Sequence, residues 1–289
     1  MKTREWPLVV FTLLSQAAVG ILLSWLVLEQ LGLLPIQPQQ TRAIPMVVTL
    51  LLAFSGAAAG LHLRRPERAV FAAANWKQSW LSREMIFALL LGTSTTLLTL
   101  FYLLEITLSL PLAILKLASL LSAVLLLWSM IRLYELRTVP AWNLQTTFLA
   151  FSTSTLLLGP ASLLLILLIM QSPAGIEKLA AFALQPILLW TAGLAMLQAI
   201  SLLGKAQVLN NKGRAGLKSK NILRQERRRM FRIHTGLSAL LALLLILAAL
   251  GFFPQDTLSI LVPGLVILVW VVEVIGRTLF YASYARHGL

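Results

Sequence analysis

Residues 148–169 read FLAFSTSTLLLGPASLLLILLI, an unbroken stretch with no charged side chain. At about 1.5 Å of rise per residue, a helix of this length covers roughly 33 Å, enough to cross the hydrocarbon of a bilayer. The run is continuous and Leu-rich. A membrane β-strand would alternate apolar and polar positions instead.

Seven more runs have the same character. They are Pro7–Leu28, Ile44–Leu63, Glu84–Leu104, Leu112–Ile131, Ala180–Leu203, Ile233–Phe253 and Leu258–Phe280. With Phe148–Ile169 they predict an all-α membrane protein, a polytopic bundle of about eight transmembrane helices. The composition agrees: 58% of the 289 residues are hydrophobic and only 12% charged. Soluble chains carry about 25% charged residues, and so few charges cannot cover the surface of a soluble fold.

The first run follows Lys2 and Arg4, as the apolar core of a signal peptide follows its charged start. It continues past the small pair Ala17–Ala18 and is too long for that role, so it reads as a retained helix. The longest polar segment, Gly204–Arg232, is too short for a soluble domain. The expectation is one integral membrane domain over 1–289. No internal repeat stands out, although a division into four-helix halves over 1–135 and 145–289 stays open.

The formal net charge is +14, and its distribution is lopsided. With eight spans, 21 of the 24 Lys and Arg residues fall on the side of the termini and the even-numbered loops; Arg42, Lys116 and Lys178 fall opposite. Positive loops stay cytoplasmic, so cytoplasmic termini in the inner (plasma) membrane are expected, with anionic membrane lipids as neighbours. Nucleic-acid binding is not supported, because the basic residues lie between apolar runs without interleaved aromatics. The basic stretch containing Lys218, Lys220, Arg224, Arg227, Arg228, Arg229 and Arg232 reads as topogenic and lipid-contacting, or as a dock for an acidic soluble subunit. Trp6, Trp76, Trp80, Trp142 and Trp270 read mostly as interface anchors.

The chain has no cysteine. Thiolate-ligated zinc and conventionally ligated iron–sulfur clusters are therefore excluded from this chain. Its histidines are His62, His234 and His287, all on the basic face. A b-type haem takes two histidines from within a bundle, and His62 with His234 is the only pair worth weighing. No metal site is expected. No HExxH motif, phosphate loop or hydrolase constellation is present. A secondary transporter is the rival class, but its ionisable residues belong at the midplane of broken, repeated helices; here they read as clustering at helix ends.

Acidic residues inside spans are costly and are usually paired or functional. Glu84 opens the third run, as a helix-start carboxylate or as a proton acceptor. Glu273 lies four residues before Arg277, which reads as an intrahelical salt bridge or again as a proton acceptor. The most distinctive stretch is His62-Leu63-Arg64-Arg65-Pro66-Glu67-Arg68-Ala69, followed by the return at Ser82-Arg83-Glu84. It sets an imidazole and a carboxylate at adjacent helix ends on one face. Such a pair suits a quinol, one group bonding a ring hydroxyl while the other takes the proton.

Glu5-Trp6-Pro7, His62-Leu63 with Pro66 and Arg68-Ala69, Ser82-Arg83-Glu84, Arg132-Leu133-Tyr134, Val139-Pro140-Ala141-Trp142, Gly159-Pro160, Gln198, and Glu273-Val274-Ile275-Gly276-Arg277 with Phe280-Tyr281 follow one another along the chain. In this order and spacing they resemble the membrane-anchor subunit of dimethyl sulfoxide reductase-type molybdoenzymes, over the whole length. The resemblance implies an anchor, not itself the catalytic subunit, that oxidises menaquinol and holds no haem. It implies a ferredoxin-like iron–sulfur subunit and a molybdopterin catalytic subunit as partners. It matches the family's quinol-site histidine to His62 and its glutamate to Glu84, with Arg68, Glu273 and Arg277 as candidate supporting residues. Arg64 and Arg65 stand where the family has small residues. An anchor serving a different terminal acceptor, a sulfur, selenium or nitrogen oxyanion, fits the same residues.

Overall fold

The computed structural model describes residues 6–32, 38–62, 74–170, 184–253 and 257–285. Through the described residues run α1 (Trp6–Gln30), α2 (Pro38–His62), α3 (Trp80–Leu103), α4 (Ser109–Tyr134), α5 (Gln145–Met170), α6 (Gln185–Val208), a short α7 (Gly213–Asn221), α8 (Arg228–Ala249) and α9 (Leu258–Ala282). All except α7 are long and apolar enough to cross a membrane. The chain is an all-helical, multi-pass membrane protein, as its apolar runs predict.

Several helices extend beyond the apolar runs into polar flanks. α6 continues to Val208 rather than Leu203, and α8 begins at Arg228 rather than Ile233. A hydropathy window stops at the first charge, whereas backbone hydrogen bonding continues through the interface, where side chains still reach water. One consequence matters for function: Lys205 and His234 belong to helices and are buried in the bundle. The rule works the other way at the end of α8, which stops at Ala249 because the chain turns at Gly251, with φ +77°.

α1 and α5 are the most buried spans and α4 the least. α1 and α5 meet backbone to backbone. A β-carbon on Gly159 would lie 2.3 Å from the carbonyl carbon of Gly20, and one on Gly20 would lie 2.1 Å from the carbonyl oxygen of Thr155. Small residues allow this approach, and in lipid close packing is a main source of helix association. Hydroxyl pairs join neighbouring spans: Ser15 with Ser55 (α1–α2), Thr49 with Thr95 at 3.0 Å (α2–α3), and Ser119 with Ser94 at 2.9 Å (α4–α3).

The sparsely charged face is neutralised locally. Arg42 bonds Glu105 at 2.7 Å, and Lys116 reaches both oxygens of Glu29 at 2.7 and 2.8 Å while lying over Trp25. The Lys116–Glu29 pair clasps α4 to α1. Because both groups are half-buried, removing one strands the other, at about 1–2 kcal/mol. Lys116→Ala and Glu29→Ala are each expected to lower the thermal midpoint in detergent, and the double change no further than the worse single. Strictly additive losses would show that the clasp carries no coupling.

On the opposite face the long basic segment is folded. A 3₁₀ turn (Leu209–Asn211), α7 and a π-helical turn (Ile222–Glu226) lie across the bundle end. Leu209, Leu223 and Phe231 are buried there with Ala141 and Leu279. Lys212, Arg214, Lys218, Arg224, Arg228, Arg229 and Arg232 are exposed. The segment is thus a cap with an apolar underside and a basic outer surface.

Candidate functional site

α9 carries Glu273 and Arg277 into the bundle, where both are buried. Glu273 Oε1 accepts from Gln198 Nε2 at 2.8 Å, and its Oε2 accepts from Ser154 Oγ. Arg277 Nη2 donates to Gln16 Oε1 and, at 3.2 Å, to Ser154 Oγ. Gln16 in turn donates to the carbonyl of Phe151 at 3.0 Å. Among the described residues the ion pairs are Arg42–Glu105, Lys116–Glu29 and Arg132–Glu135, so the intrahelical salt bridge that the spacing suggests is not formed. Ser154 stands between the two charges. The reason is that neighbouring helices offer partners: one polar side chain each from α1, α5 and α6 reaches the pair. A network rooted in four spans replaces one contact within a single helix.

Aromatic rings surround the arginine. Its guanidinium carbon is 3.9 Å from the centroid of Phe151 and 5.7 Å from that of Phe280. Trp142 stacks on Phe280 at 5.4 Å and donates its indole N–H to the Phe280 carbonyl at 3.0 Å. Trp142 therefore braces the site from the loop between α4 and α5 and is not an interface anchor; Trp6 and Trp76 are exposed as anchors should be. The hydroxyls of Tyr134 and Tyr281 bond each other at 2.7 Å. Such offset and edge contacts, with the cation over a ring, stabilise a charge that has left water.

Next to the network lies a cavity of about 50 Å³, lined by α5, α6, α8, α9 and Leu223 of the cap. His234 enters it from α8, and the imidazole needs the space above a glycine: a β-carbon on Gly276 would lie 2.6 Å from His234 Nε2. Lys205 lines it from α6, with its ammonium 4.8 Å from the Phe280 centroid. Several buried polar atoms here have no protein partner: both ring nitrogens of His234, Arg277 Nε and Nη1, Gln198 Oε1 and Thr146 Oγ1. An unpaired buried polar group costs about 1–3 kcal/mol, so a concentration of them marks a functional site.

Glu84 sits in the first turns of α3, 1% exposed, with neither carboxylate oxygen hydrogen-bonded to protein. It takes no backbone N–H of its own helix start, so stabilisation by capping is not its role. His62 is the last residue of α2. α2 packs against α3, so His62 and Glu84 occupy adjacent ends on the basic face. The His62 side chain and Arg68 lie outside the described residues. Among the described residues no cluster of three or more His, Cys, Asp or Glu stands ready for a metal ion.

The sequence places Glu84, Glu273, Arg277 and Gln198 in view, offers His234 only as a haem ligand paired with His62, and passes over Gln16, Ser154 and Lys205. A polar side chain inside an apolar run marks Gln16 and Ser154; for Lys205 only the continuation of α6 past its apolar run reveals its burial.

These features define a polytopic membrane bundle with buried acid–base groups drawn toward one basic face. The chain belongs to the family of DMSO reductase anchor subunits (DmsC), whose model matches residues 1–283. It is 30% identical over 211 residues to the anaerobic dimethyl sulfoxide reductase chain YnfH of Escherichia coli, covering 68% of this chain and 69% of that protein. A segment of 54 residues, 18% of this chain, is 54% identical to a subunit of the sulfite dehydrogenase of Allochromatium vinosum, spanning 17% of that protein. No solved structure matches the chain significantly.

Proposed function

We propose that this chain is the menaquinol-oxidising membrane anchor of a three-subunit molybdoenzyme of dimethyl sulfoxide reductase type, and that it passes electrons to a ferredoxin-like iron–sulfur subunit bound to a molybdopterin catalytic subunit. The observation that carries the reading is Glu84: a carboxylate 1% exposed, with both oxygens free of protein partners, at the basic end of the bundle. A quinol presents hydroxyl donors, and free acceptor oxygens are what such a donor needs.

Oxidation of the quinol to the quinone releases two electrons and two protons. Glu84 accepts one ring hydroxyl, and His62, on the neighbouring helix end, takes or orients the other; histidine titrates in the range that proton transfer at neutral pH requires. The electrons leave to the partner subunit, because this chain supplies no thiolate for a cluster of its own. The basic face is read as cytoplasmic from its excess of Lys and Arg. Its capped, exposed arginines and lysines then meet anionic lipid and the soluble partners.

A second reading keeps the anchor role and changes the substrate of the catalytic subunit to a sulfur, selenium or nitrogen oxyanion. The 54-residue match to a sulfite dehydrogenase subunit favours it.

The test compares two assays on one membrane preparation of the complex. His62→Ala and Glu84→Gln are expected to lower menaquinol-driven turnover at least 100-fold. Turnover with an artificial donor that bypasses the anchor should stay near wild type. Quinol-driven turnover that survives both changes would overturn the site. Equal loss in both assays would assign these residues to assembly.

A further inference from the structure

We propose that the cavity between α5, α6, α8 and α9 is a hydrated proton-exchange chamber serving Glu273, with a lining that does not include Glu84. It does not depend on the quinol reading.

The bonding groups around the cavity are mismatched in a way that water resolves. Arg277 Nε and Nη1 and Thr146 Oγ1 have hydrogens to donate, Gln198 Oε1 needs a donor, and neutral His234 needs one of each. Direct pairing within the protein does not occur, and all these atoms are buried. Water is both donor and acceptor, and buried waters make about three hydrogen bonds to just such groups. A volume of about 50 Å³ admits a few waters.

The network around Glu273 also accommodates an added proton without moving a heavy atom. With the carboxylate ionised, Ser154 donates its one hydrogen to Glu273 Oε2. With the carboxyl protonated, that hydrogen donates to Ser154 Oγ, whose own hydrogen turns to the Ala150 carbonyl at 2.7 Å. Arg277 Nη2 donates to Ser154 Oγ in both states. Each arrangement keeps the Glu273–Ser154 and Arg277–Ser154 hydrogen bonds, so a proton arrives at Glu273 from a chamber water and returns to it, with no covalent bond to carbon and no redox change.

The groups facing Glu273 are few. α9 supplies Arg277, α6 Lys205 and Gln198, α8 His234, and α5 and α1 only uncharged side chains. Lys205 and His234 stand toward the basic end of their helices, and Leu223 of the cap closes that end. Protons therefore exchange with the basic face, past the edge of the cap.

The experiment uses the purified full chain in lipid vesicles and infrared difference spectroscopy. The carboxyl stretch of Glu273 is assigned by its loss in Glu273→Gln, and Glu84→Gln removes a different band. At a pH where Glu273 is protonated, its band is expected to shift within minutes of transfer from water to deuterium oxide. Ser201→Leu fills the chamber without removing a hydrogen bond to Glu273, and should slow that shift at least tenfold. Ser152→Leu, outside the chamber, should leave the rate unchanged. A wild-type band that does not exchange over hours overturns the proposal, as does unchanged exchange in Ser201→Leu. Should Ser201→Leu not fold, a density map of the wild type decides. Ordered waters bonded to Gln198 Oε1 and His234 support the chamber, and a dry cavity refutes it.

Discussion

Gly159→Leu is expected to leave almost no folded protein in detergent extracts. A β-carbon at this position would stand 2.3 to 2.5 Å from three backbone atoms of Gly20, whereas carbon atoms in comfortable contact are about 3.5–4.0 Å apart. Both sides of the clash are backbone, so no rotamer change relieves it, and α1 must move off α5 by more than an ångström. Overpacking usually costs about 1–3 kcal/mol, with a longer tail when backbone must shift. Here the separation also breaks Gln16 from the Phe151 carbonyl and pulls Gln16 away from Arg277. Lipid offers no hydrophobic pressure to close the gap again, since acyl chains are as apolar as the side chains they would replace. Gly159→Ala should lie between, with a lowered thermal midpoint. Gly92→Ala and Gly236→Ala are the controls, because nothing lies within 4 Å of a β-carbon there. The yield of monodisperse protein on size exclusion is the measurement. A wild-type yield from Gly159→Leu would mean that α1 and α5 do not meet at this crossing.

Most of the fold is legible in the residue pattern, and the crossing at Gly20 and Gly159 shows where legibility stops. Eight apolar runs of bilayer length have few other solutions, since in lipid every backbone group must be satisfied within its own helix. Which helices touch is a different matter: hydropathy is the same all round a span such as α5, so no apolar stripe points to its neighbours. The pairing of α1 with α5 rests on the shape of two glycines, visible only once both helices are placed.

The candidate site divides in the same way. Glu84 and Glu273 stand out because a carboxylate in an apolar run is costly, whatever surrounds it. The Glu273 partners Ser154 and Gln198 stand out less, because they carry no charge to advertise them. The i,i+4 spacing of Glu273 and Arg277 even points the wrong way, toward a direct pair. Lys205 lies beyond its apolar run and so reads as a loop-side residue, while His234, second in the run Ile233–Phe253, reads as a helix-end residue. Their helices continue, and the cap closes over them. The buried end of the site is thus built from one residue that a hydropathy profile assigns to a loop and one that it sets at the edge of a span.

Arg277→Met is expected to be the most damaging single change in the polar network, and adding Glu273→Gln should recover about half of the loss. Methionine keeps much of the arginine's packing against Phe151 and Phe280 but removes the cation, leaving Glu273 as a lone buried charge with two neutral donors. Breaking a buried pair in this way costs about 3–5 kcal/mol, mostly through the stranded partner. Two charges about 4 Å apart interact by about 4 kcal/mol at an effective dielectric of 20, and by less at the longer separation that Ser154 bridges. Glutamine at 273 removes the stranded charge and still accepts from Gln198 or Ser154, so the double variant should be the more stable of the two. Glu273→Gln alone should cost less than Arg277→Met, because the arginine retains Gln16, Ser154 and two aromatic faces. Thermal midpoints of the four proteins in one detergent close the cycle; losses that simply add would show that the two side chains act independently. Ser154→Ala separates the bridged arrangement from a direct ion pair. Across a bridge it removes one hydrogen bond from each charged partner, at about 1.5–3 kcal/mol apiece. In a helix whose glutamate and arginine bonded each other directly, the same substitution would be close to neutral.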